Sequence, residues 1–234
     1  MYKNYIFDLY GTLADIKTDE DNMMVWEKLA LFYGYYGALY QPEELKKSYK
    51  KLATISNGKE NQEIQIETIF NRMYKDKGVQ ADESLVLHTC QLFRVTSTEH
   101  IQLYDGAKDM LAKLHNSGKK VYLLSNAQKA FTAYELFMLD ILRYFDGIML
   151  SSEYGIQKPE LKFFTTLIEK YHLNPKESIM IGNDPICDIA GAKKAGLDTY
   201  YIHSDISPDC TEDIDATYVQ MEMDIGKLCN QLEI

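Results

Sequence analysis

With 234 residues, 46% of them apolar and 12% aromatic, the chain has the material for a real core and is not composed like a disordered segment. Its formal charge of −10 argues against non-specific binding to nucleic acid or to an anionic membrane, since each needs a basic face. The length suits one large α/β domain or a core domain with a smaller inserted one.

The first predicted element is a strand over Tyr5-Ile6-Phe7, an unbroken apolar run ending at Asp8, as in a strand buried on both faces. Gly11 then lets the chain leave the strand sharply. A carboxylate at the carboxyl end of a buried strand sits where open α/β sheets place their ligands. The plain alternative is an Asp that caps its own turn. With the strand so near the start no signal peptide is expected, and no apolar run approaches the ~20 residues of a membrane span. Cys90, Cys187, Cys210 and Cys229 are far apart and lack zinc-ligand spacing. They read as reduced structural thiols, and the protein as soluble and cytoplasmic.

From about Asp15 to Ser97 apolar residues recur at helical spacing. Four helices are expected: one through Met23–Phe32, one opened by Pro42-Glu43-Glu44, one over about Glu60–Lys77, and one capped by Asp82. They read as a small bundle inserted after the first strand. The alternative is that they cover the sheet directly. The aromatics Trp26, Phe32, Tyr33, Tyr35, Tyr36 and Tyr40 are expected to pack rather than to line a pocket. Asp15, Asp19, Glu20 and Asp21 are expected to form a solvated acidic linker rather than a second metal site.

From Tyr104 onward helices and strands alternate. Strands are expected at Val121–Leu124, Gly147–Leu150, Ser178–Ile181 and Thr199–Ile202, and an exposed loop over 204–216. This pattern predicts an α/β fold with a doubly wound, Rossmann-like parallel sheet. Asp8, Ser125 and Asp184 would then lie just past the ends of core strands, with Lys158 in reach from a loop. A carboxylate nucleophile attacking an anionic electrophile needs that charge neutralised, which a lysine, hydroxyl donors and a divalent cation can do. Carboxylates that leave room for water and phosphate oxygens favour Mg²⁺ over Zn²⁺. Residue by residue, Thr12 could be only a turn hydroxyl, Ser125 and Asp184 only helix caps, and Lys158 a solvated loop lysine.

Asp8-Leu9-Tyr10-Gly11-Thr12, Leu124-Ser125-Asn126, Lys158-Pro159 and Gly182-Asn183-Asp184-Pro185-Ile186-Cys187-Asp188 together resemble, in order, the four motifs of the haloacid dehalogenase-like (HAD) hydrolase superfamily. The resemblance implies a core of residues 1–14 and 98–234 with a four-helix cap at 15–97. It implies Asp8 as nucleophile, with Thr12 and Ser125 as donors to substrate oxygens and Asn126 supporting them. Lys158 would stabilise charge, and Asp184 would be a metal ligand beside Asp8 and the backbone carbonyl of Tyr10. Asp188 would ligate or orient bound water. The implied activity is a Mg²⁺-dependent phosphatase acting on a small phosphorylated metabolite.

One position departs from that pattern. Family phosphatases usually carry a second Asp two residues after the nucleophile, where this chain has Tyr10. Tyr occurs there in metal-independent 2-haloacid dehalogenases, whose halide leaves without a proton. Those enzymes carry a Ser/Asn-rich fourth motif and a cap arginine soon after the first; here Asp184 is kept and the first arginine is Arg72. Dehalogenation of a 2-haloacid and a low-turnover phosphate-binding or regulatory role are the two alternatives.

Overall fold

The computed structural model describes residues 2–56, 63–209 and 213–234. Six strands form one parallel sheet: β1 (Asn4–Phe7), β4 (Lys120–Ser125), β5 (Gly147–Leu150), β6 (Ser178–Gly182), β7 (Asp198–Ile202) and β8 (Tyr218–Gln220), in the order β5-β4-β1-β6-β7-β8. All four residues of β1, Asn4 and the apolar run Tyr5-Ile6-Phe7, are buried because the strand lies between β4 and β6, with Tyr5 opposite Val121 on one side and Ile179 on the other.

Side chains alternate between the two faces of a strand, and both faces here are covered. Tyr5, Phe7, Val121, Leu123, Ile179 and Ile181 pack with α5 (Ala107–Asn116) and α10 (Ile225–Leu232), and with Leu136 of α6 (Lys129–Met138). Ile6, Tyr122, Leu124 and Met180 pack with α8 (Leu161–Tyr171) and Ala192 of α9 (Gly191–Lys194). This is the doubly wound sheet that the alternating pattern predicts. The strand order reverses at β1, so the carboxyl end of β1 opens onto the crevice where such sheets bind ligands.

Four helices, α1 (Met23–Tyr35), α2 (Pro42–Ser56), α3 (Ile66–Asp76) and α4 (Glu83–Ser97), enter between β1 and β4. They bury a cluster of their own around Trp26, Tyr33, Phe70, Met73 and Phe93, which Ala130 and Phe131 of α6 join from the sheet side. Asp82 caps α4 as expected, accepting from Leu85 N at 2.7 Å. Trp26 and Tyr33 pack as expected, whereas Tyr35 (86% exposed) and Tyr36 face solvent.

Several expectations are corrected. The stretch after the first motif is no simple linker: β2 (Ala14–Thr18) pairs antiparallel with β3 (Thr98–Leu103), and this two-stranded ribbon carries the helices. Both segments are short and half polar, which hides them from a hydrophobic-pattern reading. Asp21 remains exposed there and pairs with Lys46 and Lys50. Helix α3 begins at Ile66 rather than near Glu60; residues 60–62 of that expectation lie outside the described residues. The loop after β7 is not simply exposed, because Ser204 is buried. The sheet continues past β7 into β8, and the chain then adds α10, whose Ile225, Leu228, Cys229 and Leu232 are spaced for one buried face. Cys90, Cys187 and Cys229 are free thiols; Cys210 lies outside the described residues. Among the described residues no helix is long and apolar enough to cross a membrane.

Candidate active site

Asp8 leaves β1 at the carboxyl edge of the sheet, and its N–H still donates to the Ile181 carbonyl of β6 at 3.0 Å. The chain then turns at Gly11, whose φ of +80° suits glycine. An added Cβ there would sit 2.3 Å from Asn183 Nδ2, so the turn also needs a residue without a side chain.

Lys158 arrives from the loop after α7 (Ser151–Tyr154), and Asn126 fixes it at both backbone groups. Asn126 Nδ2 donates to the Lys158 carbonyl at 2.9 Å, and Lys158 N donates to Asn126 Oδ1 at 2.8 Å. The Lys158 ammonium then donates to Asp8 Oδ1 at 2.7 Å and to Asp188 Oδ1 at 2.6 Å, with a side chain only 2% exposed. A solvated loop lysine is excluded. Asp188 fits beside Lys158 because Gly182 has no side chain: a Cβ there would lie 2.3 Å from Asp188 Oδ2.

Three buried charges meet here, two negative and one positive. Burial disfavours the Lys158 ammonium, but the charges and hydrogen bonds of Asp188 and Asp8 outweigh it and hold its pKa above the ordinary lysine value. Burial pushes the Asp188 carboxyl above the usual carboxylate range; Lys158 opposes that shift and Asp8 adds to it.

Asp8, Tyr10, Ser125, Asn126, Lys158, Asp184 and Asp188 line one cavity of about 210 Å³, with Asn183, Cys187, Ile206 and Pro208 completing it. Six of the seven are sequence-predicted catalytic residues, and Asp184 is the predicted metal ligand. Ser125 is 1% exposed and its hydroxyl has no hydrogen-bond partner among the described residues. It is no helix cap. A buried polar atom left unpaired costs ~1–3 kcal/mol, so this hydroxyl has the character of a group waiting for a ligand oxygen. Thr12 is the one predicted residue not brought to the cavity: its hydroxyl donates to Asn183 Oδ1 at 3.3 Å, behind the site.

Asp184 does cap the turn Pro185–Ala190, accepting from Ile186 N and Cys187 N at 2.8 Å each through one oxygen. Its backbone N–H donates to Asp188 Oδ2 at 3.0 Å, which orders the two acids relative to each other. Among the described residues no three His, Cys, Asp or Glu side chains converge into a closed cation cage.

Two sets of contacts lie beyond the sequence reading. Asn183 is held from the loop after β7, its Nδ2 donating to the hydroxyls of Ser204 at 3.4 Å and Ser207 at 3.3 Å. Tyr10 turns its hydroxyl to α6, where it donates to Glu135 Oε2 and lies 3.0 Å from Thr132 Oγ1. Arg94 of α4 closes this second cluster: its Nε donates to Glu135 Oε1 at 2.6 Å, and its guanidinium lies over the rings of Tyr10 and Phe131 at 5.4 and 5.2 Å. Burial, then the charge of Glu135, pushes the Tyr10 phenol well above its ordinary pKa. Only the polar Thr132 and Glu135 amid the otherwise apolar face of α6 hint at this cluster in sequence.

A doubly wound parallel sheet with an acid–lysine–acid triad at its carboxyl edge, and helices inserted after its first strand, defines a class of α/β hydrolase. The chain belongs to the haloacid dehalogenase-like hydrolase family, whose sequence profile matches residues 2–196. It is 26% identical over 218 residues to YfnB of Bacillus subtilis (strain 168), a protein assigned to the HAD-hydrolases, covering 90% of this chain and 88% of that one. The crystal structure of YfnB bound to magnesium superposes with a TM-score of 0.60 at 24% identity, over 100% of this chain and 99% of that one. Pyrimidine 5′-nucleotidase PynA of Streptococcus pneumoniae (strain ATCC BAA-255 / R6) is 28% identical over 212 residues, 86% of this chain and 83% of that one. In fold, 2-haloacid dehalogenase from Pseudomonas syringae pv. Tomato DC3000 gives a TM-score of 0.70 at 18% identity, over 100% and 99% of the two chains.

Proposed function

We propose that the protein is a phosphatase for a small phosphorylated metabolite, working through an aspartyl-phosphate at Asp8. The observation that carries this reading is the unpartnered Ser125 hydroxyl in the cavity that also holds the Asp8–Lys158 pair. One Asp8 oxygen attacks phosphorus and the bond to the leaving group breaks. Ser125 and Lys158 meet the phosphoryl oxygens, and Asp188 with Asn126 keeps Lys158 in place. Water then attacks phosphorus, and the Asp8 carboxylate departs with its electron pair. Residues 15–97 serve as a cap over the core of residues 1–14 and 98–234.

The donor set fits Mg²⁺. Asp8 and Asp184 line the same cavity, the Tyr10 carbonyl would add an oxygen donor, and Mg²⁺ is commonly held by one or two carboxylates plus substrate oxygens rather than by a closed cage. When bound, the ion supplies charge neutralisation at the phosphoryl oxygens. The magnesium bound in the YfnB crystal structure supports the same assignment.

Tyr10 keeps a second reading in view, a 2-haloacid dehalogenase, because its committed hydroxyl leaves the site without an acid that halide departure would need no help from. Steady-state assay of wild type and Asp8→Asn against phosphate esters, with and without Mg²⁺, beside 2-haloacids in chelator, separates the two. We expect Mg²⁺-dependent ester hydrolysis that falls about 10³-fold or more in Asp8→Asn. Equal turnover by mutant and wild type, or halide release alone, overturns the phosphatase reading.

A further inference from the structure

The proton donors around the cavity are already spoken for. Tyr10 gives its hydroxyl proton to Glu135, which Arg94 holds from the far side. Lys158 donates two of its three ammonium hydrogens to Asp8 and Asp188, and the third is left for a phosphoryl oxygen. Cys187 donates its backbone N–H to Asp184 Oδ1 at 2.8 Å, and a thiol is only a weak hydrogen-bond donor. Asn126 donates its amide to the Lys158 carbonyl, and Asn183 donates to Ser204 and Ser207.

The acids are acceptors in the bonds they make. Asp188 accepts at both oxygens, from Lys158 and from Asp184 N, and Asp184 accepts from Ile186 N and Cys187 N. The hydroxyl in this cavity that has no partner at all among the described residues is that of Ser125. An alcohol can hydrogen-bond a phosphoryl oxygen, but it is far too weak an acid to protonate a departing alkoxide.

We propose that the site is specialised for phosphoryl compounds whose leaving group departs as a stable anion, acyl and aryl phosphates above all, and discriminates against alkyl phosphate esters. This rests on the aspartyl-phosphate reading and adds a substrate class to it. In the first step the Asp8–phosphorus bond forms and the phosphorus–oxygen bond to the leaving group breaks, the electron pair leaving with that oxygen. A carboxylate or phenolate carries the pair without a proton; an alkoxide does not. In the second step water attacks phosphorus, the pair of the breaking bond returns to Asp8, and the water's proton passes to the released phosphate. Neither step asks the protein for a proton.

The Glu135–Arg94 pair enforces this by holding Tyr10 turned away. A protonated carboxyl at the Tyr10 position, not tied up by Glu135, could supply that proton. Proton transfer by a positioned acid contributes about 10²–10⁴-fold, and that is the size of the discrimination expected.

The test is the dependence of kcat/KM on leaving-group basicity for the wild-type protein with Mg²⁺. The series runs from acetyl phosphate through substituted phenyl phosphates to glycerol phosphate, from a carboxylate of pKa about 4 to a phenol of about 10 and beyond. We expect a steep decline, with glycerol phosphate at least about 10³-fold below 4-nitrophenyl phosphate, the order of a missing acid's contribution. Rapid-mixing assays with the nitrophenyl ester are expected to release one equivalent of phenolate in the first turnover.

A flat series, with the alkyl ester within about tenfold of the aryl ones, overturns the proposal. So does a series that becomes steeper in Tyr10→Phe, which would identify the phenol as the acid. Absence of turnover with every phosphoryl compound, acetyl phosphate included, overturns the underlying aspartyl-phosphate reading instead. Because the wild-type series decides the matter, folding defects in a variant leave it testable.

Discussion

Ser125 separates what holds this protein together from what it does. Its hydroxyl is buried without a partner, so replacing it by Ala removes an unpaired polar atom that costs ~1–3 kcal/mol rather than a bond. We expect Ser125→Ala to melt at or above the wild-type temperature, measured by calorimetry. Its kcat on the best phosphoryl substrate should meanwhile fall about 10²-fold, as when an oxyanion donor is lost. A drop in melting temperature with activity kept would assign the hydroxyl to structure. Gly182→Ala should do the reverse. The new Cβ meets Asp188 Oδ2 and its carbon at 2.3 and 2.4 Å, and overpacking of this kind typically costs ~1–3 kcal/mol. The triad that orients Lys158 would shift, and melting temperature and activity should fall together. At this scale the sequence was legible wherever a residue's role follows from its place on a strand end. Asp8, Ser125 and Asp184 fall where the strand pattern puts them, all lining one cavity, whereas Asp188 was legible only through the resemblance of the fourth motif. Thr12 and Tyr10 were not legible, because their hydroxyl partners, Asn183 and Glu135, lie 171 and 125 residues further along.

Among the described residues the helices between β2 and β3 meet the sheet side through several polar fastenings, two of them centred on Gln128 and on Arg94. Gln128, just before α6, accepts from Ile66 N at 3.1 Å and donates to the Ile64 carbonyl at 2.6 Å, so a side chain of the sheet side supplies the N-terminal partner that α3 lacks in its own sequence. That is the reason α3 begins at Ile66 while its apolar periodicity extends upstream. Arg94 and Glu135 make the second fastening, with side chains 16% and 9% exposed. Removing one partner of such a buried pair leaves the other charge uncompensated, at about 3 kcal/mol. Arg94→Ala should therefore lower stability to denaturant by about that much. The double variant Arg94→Met/Glu135→Leu should recover much of the loss, since apolar groups of similar volume often replace a buried pair at little cost. If both variants are equally destabilised, the packing of α4 on α6 matters and the charges do not. Helix periodicity reveals that these four helices exist, and Asp82 marks where one begins. It is silent on which residues fasten them to the sheet, because those contacts join elements far apart in sequence. The ribbon of β2 and β3 was hidden for the same reason, each half being too short and polar to read alone.

For the molecule as a whole, the phosphatase reading links folding and metal binding through one carboxylate. Asp184 caps the turn after β6 and lines the cavity with Asp8, where that reading puts the cation. Asn caps a helix as well as Asp does, so Asp184→Asn keeps the cap while removing the charge. In a chain of net charge −10 with Asp8 and Asp188 in the same cavity, removing a negative charge there should leave the metal-free protein at least as stable as wild type. A ligand bound only by the folded state adds about 2.7 kcal/mol at a hundredfold excess over its dissociation constant. For a chain of this length that is roughly 5–10 °C in melting temperature. We expect thermal scans of wild type to show such a shift on titration with Mg²⁺, saturating at one site, and Asp184→Asn to show little or none while its scan in chelator matches or exceeds wild type. A full Mg²⁺ shift in Asp184→Asn would move the cation away from this acid. A chelator scan well below wild type would show that the carboxylate, and not merely a capping oxygen, is what the fold requires there.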